Sequence, residues 1–132
     1  MAIIGLKPGA VIPYVPVSER GNETDPCIIH IKYLSNPQVR DYAVRVTKAT
    51  RNTTTPESAV EKGLDVQRQQ FIENVVRVEN YSLPDGTQVT TAEQLYDNGD
   101  QSLIREVIQA MESVALLTAG QRKNSSGPSA TV

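Results

Sequence analysis

The stretch Ile-Ile-His-Ile-Lys-Tyr-Leu at residues 28–34 is the part of the sequence that decides the fold. It is rich in β-branched and aromatic side chains and follows Pro26, a pattern that predicts a strand. Alternation divides its side chains into two faces, with Ile29, Ile31 and Tyr33 on one and Ile28, His30, Lys32 and Leu34 on the other. Because an isolated strand is not stable, this one needs a neighbour.

The neighbour is expected in the first 27 residues, which are rich in residues that interrupt helices: Pro8, Gly9, Pro13, Pro16, Gly21 and Pro26. Because proline fixes φ and lacks a backbone donor, we expect neither a helix nor a central strand here. The apolar residues at 11–17 instead predict an extended arm that lies on a surface, either its own or a partner's. Paired with residues 28–34, this arm forms a small antiparallel β ribbon.

Two helices are predicted after the strand, and each begins with a polar residue followed by proline, a common helix start. The first has Asn36 as its N-cap and runs from Pro37 to about Arg51. The second begins at Thr55-Pro56 and runs to about Tyr81. It carries an apolar stripe at helical spacing, formed by Val60, Leu64, Phe71, Val75 and Val78.

A turn and a short third helix are predicted next. Residues 82–86 contain the Pro-Asp-Gly chemistry of a turn. Thr90 and Glu93 match a capping box, in which each side chain satisfies a backbone donor of the other residue. This box opens a helix that runs to Tyr96.

The clearest helical pattern lies at residues 101–119, where two adjacent apolar rows give a wide apolar stripe. Asp100 is placed to cap its start and Gly120 to cap its end. A stripe this wide needs an apolar surface against it, so we expect this helix to pack on the helix at 56–81. It also favours a homo-oligomer, since a second copy can cover such a stripe.

These elements predict an α+β fold that is predominantly helical, with three to four helices and a small antiparallel β ribbon near the N-terminus. We divide the chain into a Pro-rich arm and loop at 1–27, a single globular domain at 28–122 and a polar tail at 123–132 that is expected to be disordered. A chain of 132 residues is long enough for one modest core.

The composition indicates the cellular compartment in which the chain is expected to work. Cys27 is the only cysteine, so an internal disulfide is impossible, which fits a reducing environment. The apolar start of the chain is too short for a signal peptide, and no apolar run approaches the roughly 18 residues that span a bilayer. We therefore expect a cytoplasmic protein without a membrane partner.

Residues able to carry catalytic or metal chemistry are few. His30 is the only histidine and lies in a strand between isoleucines, where we expect a structural role. One cysteine and one histidine do not make a zinc site, and residues 97–100 lack the spacing of a calcium loop. We expect no catalytic residue, no metal and no cofactor. A small enzyme with Cys27 as nucleophile and His30 as its base stays open as an alternative.

Charge is unevenly distributed along the chain. Residues 28–52 carry five basic residues and one acidic residue, a balance of +4, whereas residues 53–112 carry eleven acidic and four basic residues, a balance of −7. Such asymmetry either steers association with a complementary surface or is simply a solvated surface. The sequence pI of about 5.4 lies far below the values typical of nucleic-acid-binding domains, so we expect no nucleic acid partner.

Three stretches taken together resemble a known family. Residues 14–34 run from a Tyr-x-Pro arm through a polar loop into an apolar strand, residues 71–81 end in Val-x-Val-Glu-Asn-Tyr, and residues 103–125 form an amphipathic helix that ends in Lys-Asn-Ser. This order resembles the small tail assembly chaperones and related tail-module proteins of long-tailed bacteriophages.

The resemblance implies a non-enzymatic protein of the bacterial cytoplasm. Such a protein binds the long, apolar, helical tape-measure protein before tail-tube subunits polymerise around it. The resemblance supplies no individual binding residues. A permanent virion component is the alternative within the same module, namely a head–tail connector or tail-terminator subunit whose Pro-rich arm reaches the neighbouring subunit of a ring.

The residues predicted to contact a partner are apolar side chains expected at exposed edges: Ile12, Tyr14 and Val15 in the arm, and Leu116 and Leu117 at the end of the last helix. Covering a partner's apolar stripe limits its aggregation. We assign other apolar side chains to the protein's own core: Val75, Val107, Ile108 and Met111.

Overall fold

The fold is that of a computed structural model, which describes residues 6–113 and 115–120. In chain order the elements are β1 (Val11–Tyr14), β2 (Ile28–Lys32), α1 (Asn36–Thr50), α2 (Pro56–Asn74), β3 (Val75–Glu79), α3 (Ala92–Asn98) and α4 (Gln101–Met111). A 3-10 turn follows β1, and residues 115–120 are helical. The predicted α+β class, mostly helical with an antiparallel sheet near the N-terminus, is confirmed. The predicted tail at 123–132 lies outside the described residues.

The sheet has the order β1-β2-β3, and both pairings are antiparallel. The predicted pairing of the arm with residues 28–34 is confirmed, with Ile12 opposite Ile31 in β1 and β2. Ile29 and Ile31 are fully buried whereas Lys32 is exposed, so the predicted division of β2 into two faces also holds. Pro13 lies on an edge strand, where its missing backbone donor costs no internal pairing.

The second helix was predicted to reach Tyr81, and this was wrong. The helix α2 ends at Asn74, and residues 75–79 form β3 on the free edge of β2. Their three valines favour a strand, and β2 gains a second neighbour. Val75 pairs with Ile31 while Arg77 pairs with His30, which leaves one extra residue in β3 as a bulge.

The bulge explains why the sequence pattern was misleading. It puts Val75 and Val78 on the same buried face although they are three residues apart, a spacing that normally indicates a helix. Val75 therefore lies in the core as predicted, and Val78 lies there too, but both are strand residues. Val107 and Met111 of α4 are also buried, and Ile108 is half-buried.

The arm is not separate from the globular domain, so the predicted boundary at residue 27 does not hold. Ile12 and Tyr14 belong to the same core cluster as β2, β3, α2 and α4. Val15 is also buried. The physical reason is that the arm supplies one of the three strands in the described part of the chain, and its inward side chains join the core cluster.

The helix caps differ from the predictions by one residue in two cases. Ser35, not Asn36, caps α1 in a capping box with Gln38, and Thr91, not Thr90, caps α3. Asp100 caps α4 as predicted, by accepting a hydrogen bond from the backbone N–H of Leu103.

The last helix is interrupted, whereas one continuous helix was predicted over 101–119. The helix α4 ends at Met111, and helical structure is present again at 115–120. Gly120 is buried against Tyr14, and an added Cβ would lie 2.5 Å from the aromatic ring. Close packing therefore requires a glycine here, whereas the sequence suggested a helix cap.

The two long helices α1 and α2 form an antiparallel hairpin, joined by a loop of five residues. The stripe predicted to join α2 to the last helix does so only in part: Val60 and Leu64 are exposed, whereas Phe71 lies in the core cluster that contains α4. The helices α2 and α4 also meet through Gln70, whose Nε2 donates to Glu112 Oε2 at 2.7 Å and contacts Met111 Sδ.

Candidate binding groove

An open groove of about 570 Å³ runs between the end of the arm and α4. Three separate parts of the chain line it: residues 16–19 with Cys27, residues 80–82 after β3, and residues 100–106 at the start of α4. Its lining combines apolar and aromatic side chains (Pro16, Val17, Tyr81 and Leu103) with polar ones (Ser18, Glu19, Asn80, Ser82, Asp100, Ser102 and Glu106).

A carboxylate of α4 holds the arm side of the groove in place. Glu106 Oε2 accepts a hydrogen bond from the hydroxyl of Tyr14 at 2.5 Å and another from the backbone N–H of Val17 at 2.9 Å. These two bonds fix the position at which the arm leaves the sheet. As a result Val17, 62% exposed, stands at the mouth of the groove.

Arg20 completes this attachment from the other side. Its Nη2 donates to the Tyr14 hydroxyl at 3.0 Å and its Nε donates to the carbonyl of Val15 at 3.0 Å. Burial, together with the hydrogen bond to Glu106, raises the pKa of Tyr14 far above its ordinary value. Tyr14 therefore stays neutral and keeps its donor proton.

The opposite wall begins where the chain leaves β3. Asn80 has a φ of 59°, in the left-handed region that asparagine tolerates better than most residues. Its side-chain Nδ2 donates to the carbonyl of Pro26 at 2.9 Å. The hydroxyl of the next residue, Tyr81, accepts a hydrogen bond from the backbone N–H of Asp100 at 3.2 Å, which ties this wall to α4.

Among the described residues, the charged side chains that line the groove are all acidic: Glu19, Asp100 and Glu106. A small region of negative electrostatic potential next to apolar side chains suits a ligand that carries both a basic and an apolar group. The volume of the groove falls in the range of sites that enclose small molecules or a few side chains.

Cys27 lines the groove but is poorly suited to act as a nucleophile. Burial, with a further contribution from Glu19, raises the pKa of its thiol from 9.0 to about 11. The thiolate is the reactive form, and near neutral pH almost none is present.

His30 does not line the groove, so the structure does not bring the two residues of the enzyme alternative together there. Its Nε2 lies 2.5 Å from Glu79 Oε2 on the neighbouring strand. The hydrogen bond from His30, assisted by Arg77, lowers the pKa of Glu79. Among the described residues, no group of three or more His, Cys, Asp or Glu side chains is arranged to hold a metal ion.

Most of the side chains predicted to face a partner are buried instead. Ile12, Tyr14, Val15 and Leu117 lie inside the fold, so the expectation of exposure was wrong for these four. Leu116 is exposed as expected. The neighbouring residues 16–19 line the groove, and their sequence gave only a weak signal: a proline and a valine at the end of an apolar arm.

Comparison of the chain with models of protein families, with characterised proteins and with solved structures finds no match. None of the helices within residues 6–113 and 115–120 has the length and apolar character that a membrane span requires.

Proposed function

We propose that this chain binds another protein and that the groove between the arm and α4 holds an apolar segment of that partner flanked by basic residues. The observation that carries the proposal is the combination of an open volume of about 570 Å³, an exposed Val17 at its mouth and three carboxylates in its lining. Apolar contact supplies binding energy, and charge complementarity supplies orientation and selectivity.

The partner class follows from the resemblance to tail assembly chaperones of long-tailed phages. A tape-measure protein is long, apolar and helical, and it must be kept from aggregating in the bacterial cytoplasm until the tail tube forms. A groove of this size covers only a few side chains, so each contact is weak, with a dissociation constant on the order of micromolar. Weak contacts suit a chaperone, because polymerising tube subunits can displace it.

Two pairs of lining residues, one apolar and one acidic, are proposed to contact the bound segment. Val17 and Leu103 contact the apolar side chains of the bound segment, and Glu19 and Asp100 attract its basic ends. The buried Cys27 thiol is not needed for binding. Glu106 acts as a positioning residue, since both of its hydrogen bonds hold the arm side of the groove.

The test is co-expression with the products of the neighbouring genes, followed by co-purification, and the expected partner is a long helical protein. Val17→Lys replaces an apolar contact by a charge that repels a basic segment. Val11→Lys is the matched control, since Val11 is also an exposed valine of the arm region but lies outside the groove. Stoichiometric co-purification that Val17→Lys abolishes and Val11→Lys preserves supports the proposal.

A second pair of variants tests the opposite wall. Ser102→Lys places a cation in the groove, and Gln109→Lys places one on an exposed position of α4 outside it. Equal retention of the partner by all four variants, or no partner at all, overturns the proposed site. The virion-subunit alternative is separated by analysing purified particles, because a chaperone is absent from them and a connector or terminator is present.

A further inference from the structure

The free end of the α1–α2 hairpin contributes little to the core, since only the half-buried Ala49 packs against the core cluster. Between residues 43 and 65 no side chain is buried, although this segment contains four exposed apolar residues: Val44, Val46, Val60 and Leu64. Val46 faces α2, where it approaches Gly63. The other three lie on outer faces of the hairpin, and no described residue buries them.

The outer face of α1 is mainly basic, because the carboxylate beside it, Asp41, forms an ion pair with Arg45. Arg40, Val44, Lys48 and Arg51 follow one another at spacings of four, four and three residues, which places them on one face of the helix. This face is opposite Tyr42 and Val46, the residues directed toward α2. All four are exposed, and the three basic side chains form no ion pair with any described residue.

The outer face of α2 is acidic. Glu57, Glu61 and Asp65 follow at spacings of four residues, next to the exposed Val60 and Leu64. At 100° per residue, Glu61 lies on the side of α2 opposite Gly63, which faces α1. None of the three carboxylates forms an ion pair within the part of the chain that the structure describes.

The hairpin therefore has a basic outer side and an acidic outer side that face in opposite directions. At a rise of about 1.5 Å per residue, the row from Val44 to Arg51 is about 10 Å long, and the row from Glu57 to Leu64 has the same length. Their charges are in register, since Arg51 and Glu57 lie near the free end of the hairpin. Val44 and Leu64 both lie nearer to its base.

We propose that the hairpins of successive copies of this chain pack side by side, with the basic face of α1 in one copy against the acidic face of α2 in the next. Arg51 and Lys48 meet Glu57 and Glu61, and Val44 packs against Leu64. Because the two faces differ, the interface is heterologous and generates a closed ring or an open filament. Exposed ion pairs are individually weak and screened by salt, so assembly weakens as ionic strength rises.

The test uses charge reversal on the full-length protein, with molar mass measured by light scattering over a range of concentrations up to millimolar. K48E/R51E makes both faces acidic, and E57K/E61K makes both basic, so each variant alone loses self-association, with binding weakened roughly tenfold or more. An equimolar mixture of the two restores assembly, as does the chain that carries all four substitutions. K32E/R105E is the control for K48E/R51E, because it makes the same change in net charge at exposed positions outside the hairpin.

Failure of this self-association and failure of partner binding in the groove give different experimental results. The wild-type chain and K32E/R105E are expected to assemble, and Val17→Lys is expected to assemble as well, since the groove is not part of this interface. A wild-type protein that stays monomeric throughout the titration overturns the inference. So does an oligomer that survives both single-face reversals, or a mixture that fails to restore assembly.

Discussion

The hydroxyl of Tyr14 and the carboxylate of Glu106 are joined by a hydrogen bond of 2.5 Å across 92 residues of sequence. This contact attaches the N-terminal arm to α4. Because Glu106 also accepts from the backbone N–H of Val17, it fixes one wall of the groove. Fold stability and groove geometry are thus coupled through one carboxylate.

Tyr14→Phe removes the hydroxyl from this contact and leaves Arg20 without one of its partners. We expect the free energy of unfolding to fall by about 1.5–3 kcal/mol, the usual effect of losing a hydrogen bond to a charged group. Urea unfolding followed by circular dichroism measures it. Tyr33→Phe is the control, since the described residues offer its hydroxyl no hydrogen bond, and a change within about 0.5 kcal/mol is expected.

Gly120→Ala and Gly63→Ala are predicted to have opposite effects. A Cβ on Gly120 lies 2.5 Å from the buried ring of Tyr14, so overpacking is expected to destabilise the protein by about 1–3 kcal/mol. At Gly63 the nearest atom is 4.0 Å away, and alanine is expected to stabilise α2 by up to about 1 kcal/mol. Thermal unfolding compares the two variants, and equal shifts would contradict the packing described for Gly120.

The stripe of α2 is predicted to divide sharply between core and surface. Phe71 is fully buried and packs against the tilted ring of Tyr96 with ring centroids 5.3 Å apart, so Phe71→Ala is expected to cost about 3–5 kcal/mol. Leu64 is 52% exposed, and Leu64→Ala is expected to change stability by less than about 1 kcal/mol in the monomer. Denaturant unfolding at low protein concentration measures both, and a large loss at Leu64 would show that this residue is buried.

Stability is predicted to fall in alkaline solution because of Cys27. Its pKa is raised on folding from 9.0 to about 11, so its contribution is fully present below pH 9 and is lost as the pH rises toward 11. We expect a loss of about 1–2 kcal/mol over this range. Cys27→Ala should reduce this dependence most between about pH 8.5 and pH 9.5, where most tyrosine phenols, with an ordinary pKa near 10, are still protonated. The same slope in both proteins would assign the effect to other groups.

The sequence was sufficient to predict the features that depend on local pattern. The alternation of residues 28–34 identified β2, the apolar arm identified its partner, and Asp100 identified the start of α4. The boundary between α2 and β3 was missed because the bulge gives Val75 and Val78 a helical spacing within a strand.

The groove could not be predicted, since its walls come from segments up to 90 residues apart that only the tertiary fold brings together. Pro16 and Asn80 carry no sequence signal that would relate them to Ser102. Unlike the groove, the charge asymmetry could be predicted, because a basic segment followed by an acidic one is visible in the sequence. Its arrangement on opposite sides of one hairpin becomes apparent only when α1 and α2 are paired.

Hydrogen–deuterium exchange on the complex with the co-expressed helical partner tests the central claim most directly, because it locates the contact without any substitution. We predict slower exchange at the amides of residues 17–19, 80–82 and 100–106 on binding, with the exchange rates of β2 unchanged. Protection confined to other parts of the chain, or identical exchange in the free and bound protein, would contradict the groove as the binding site.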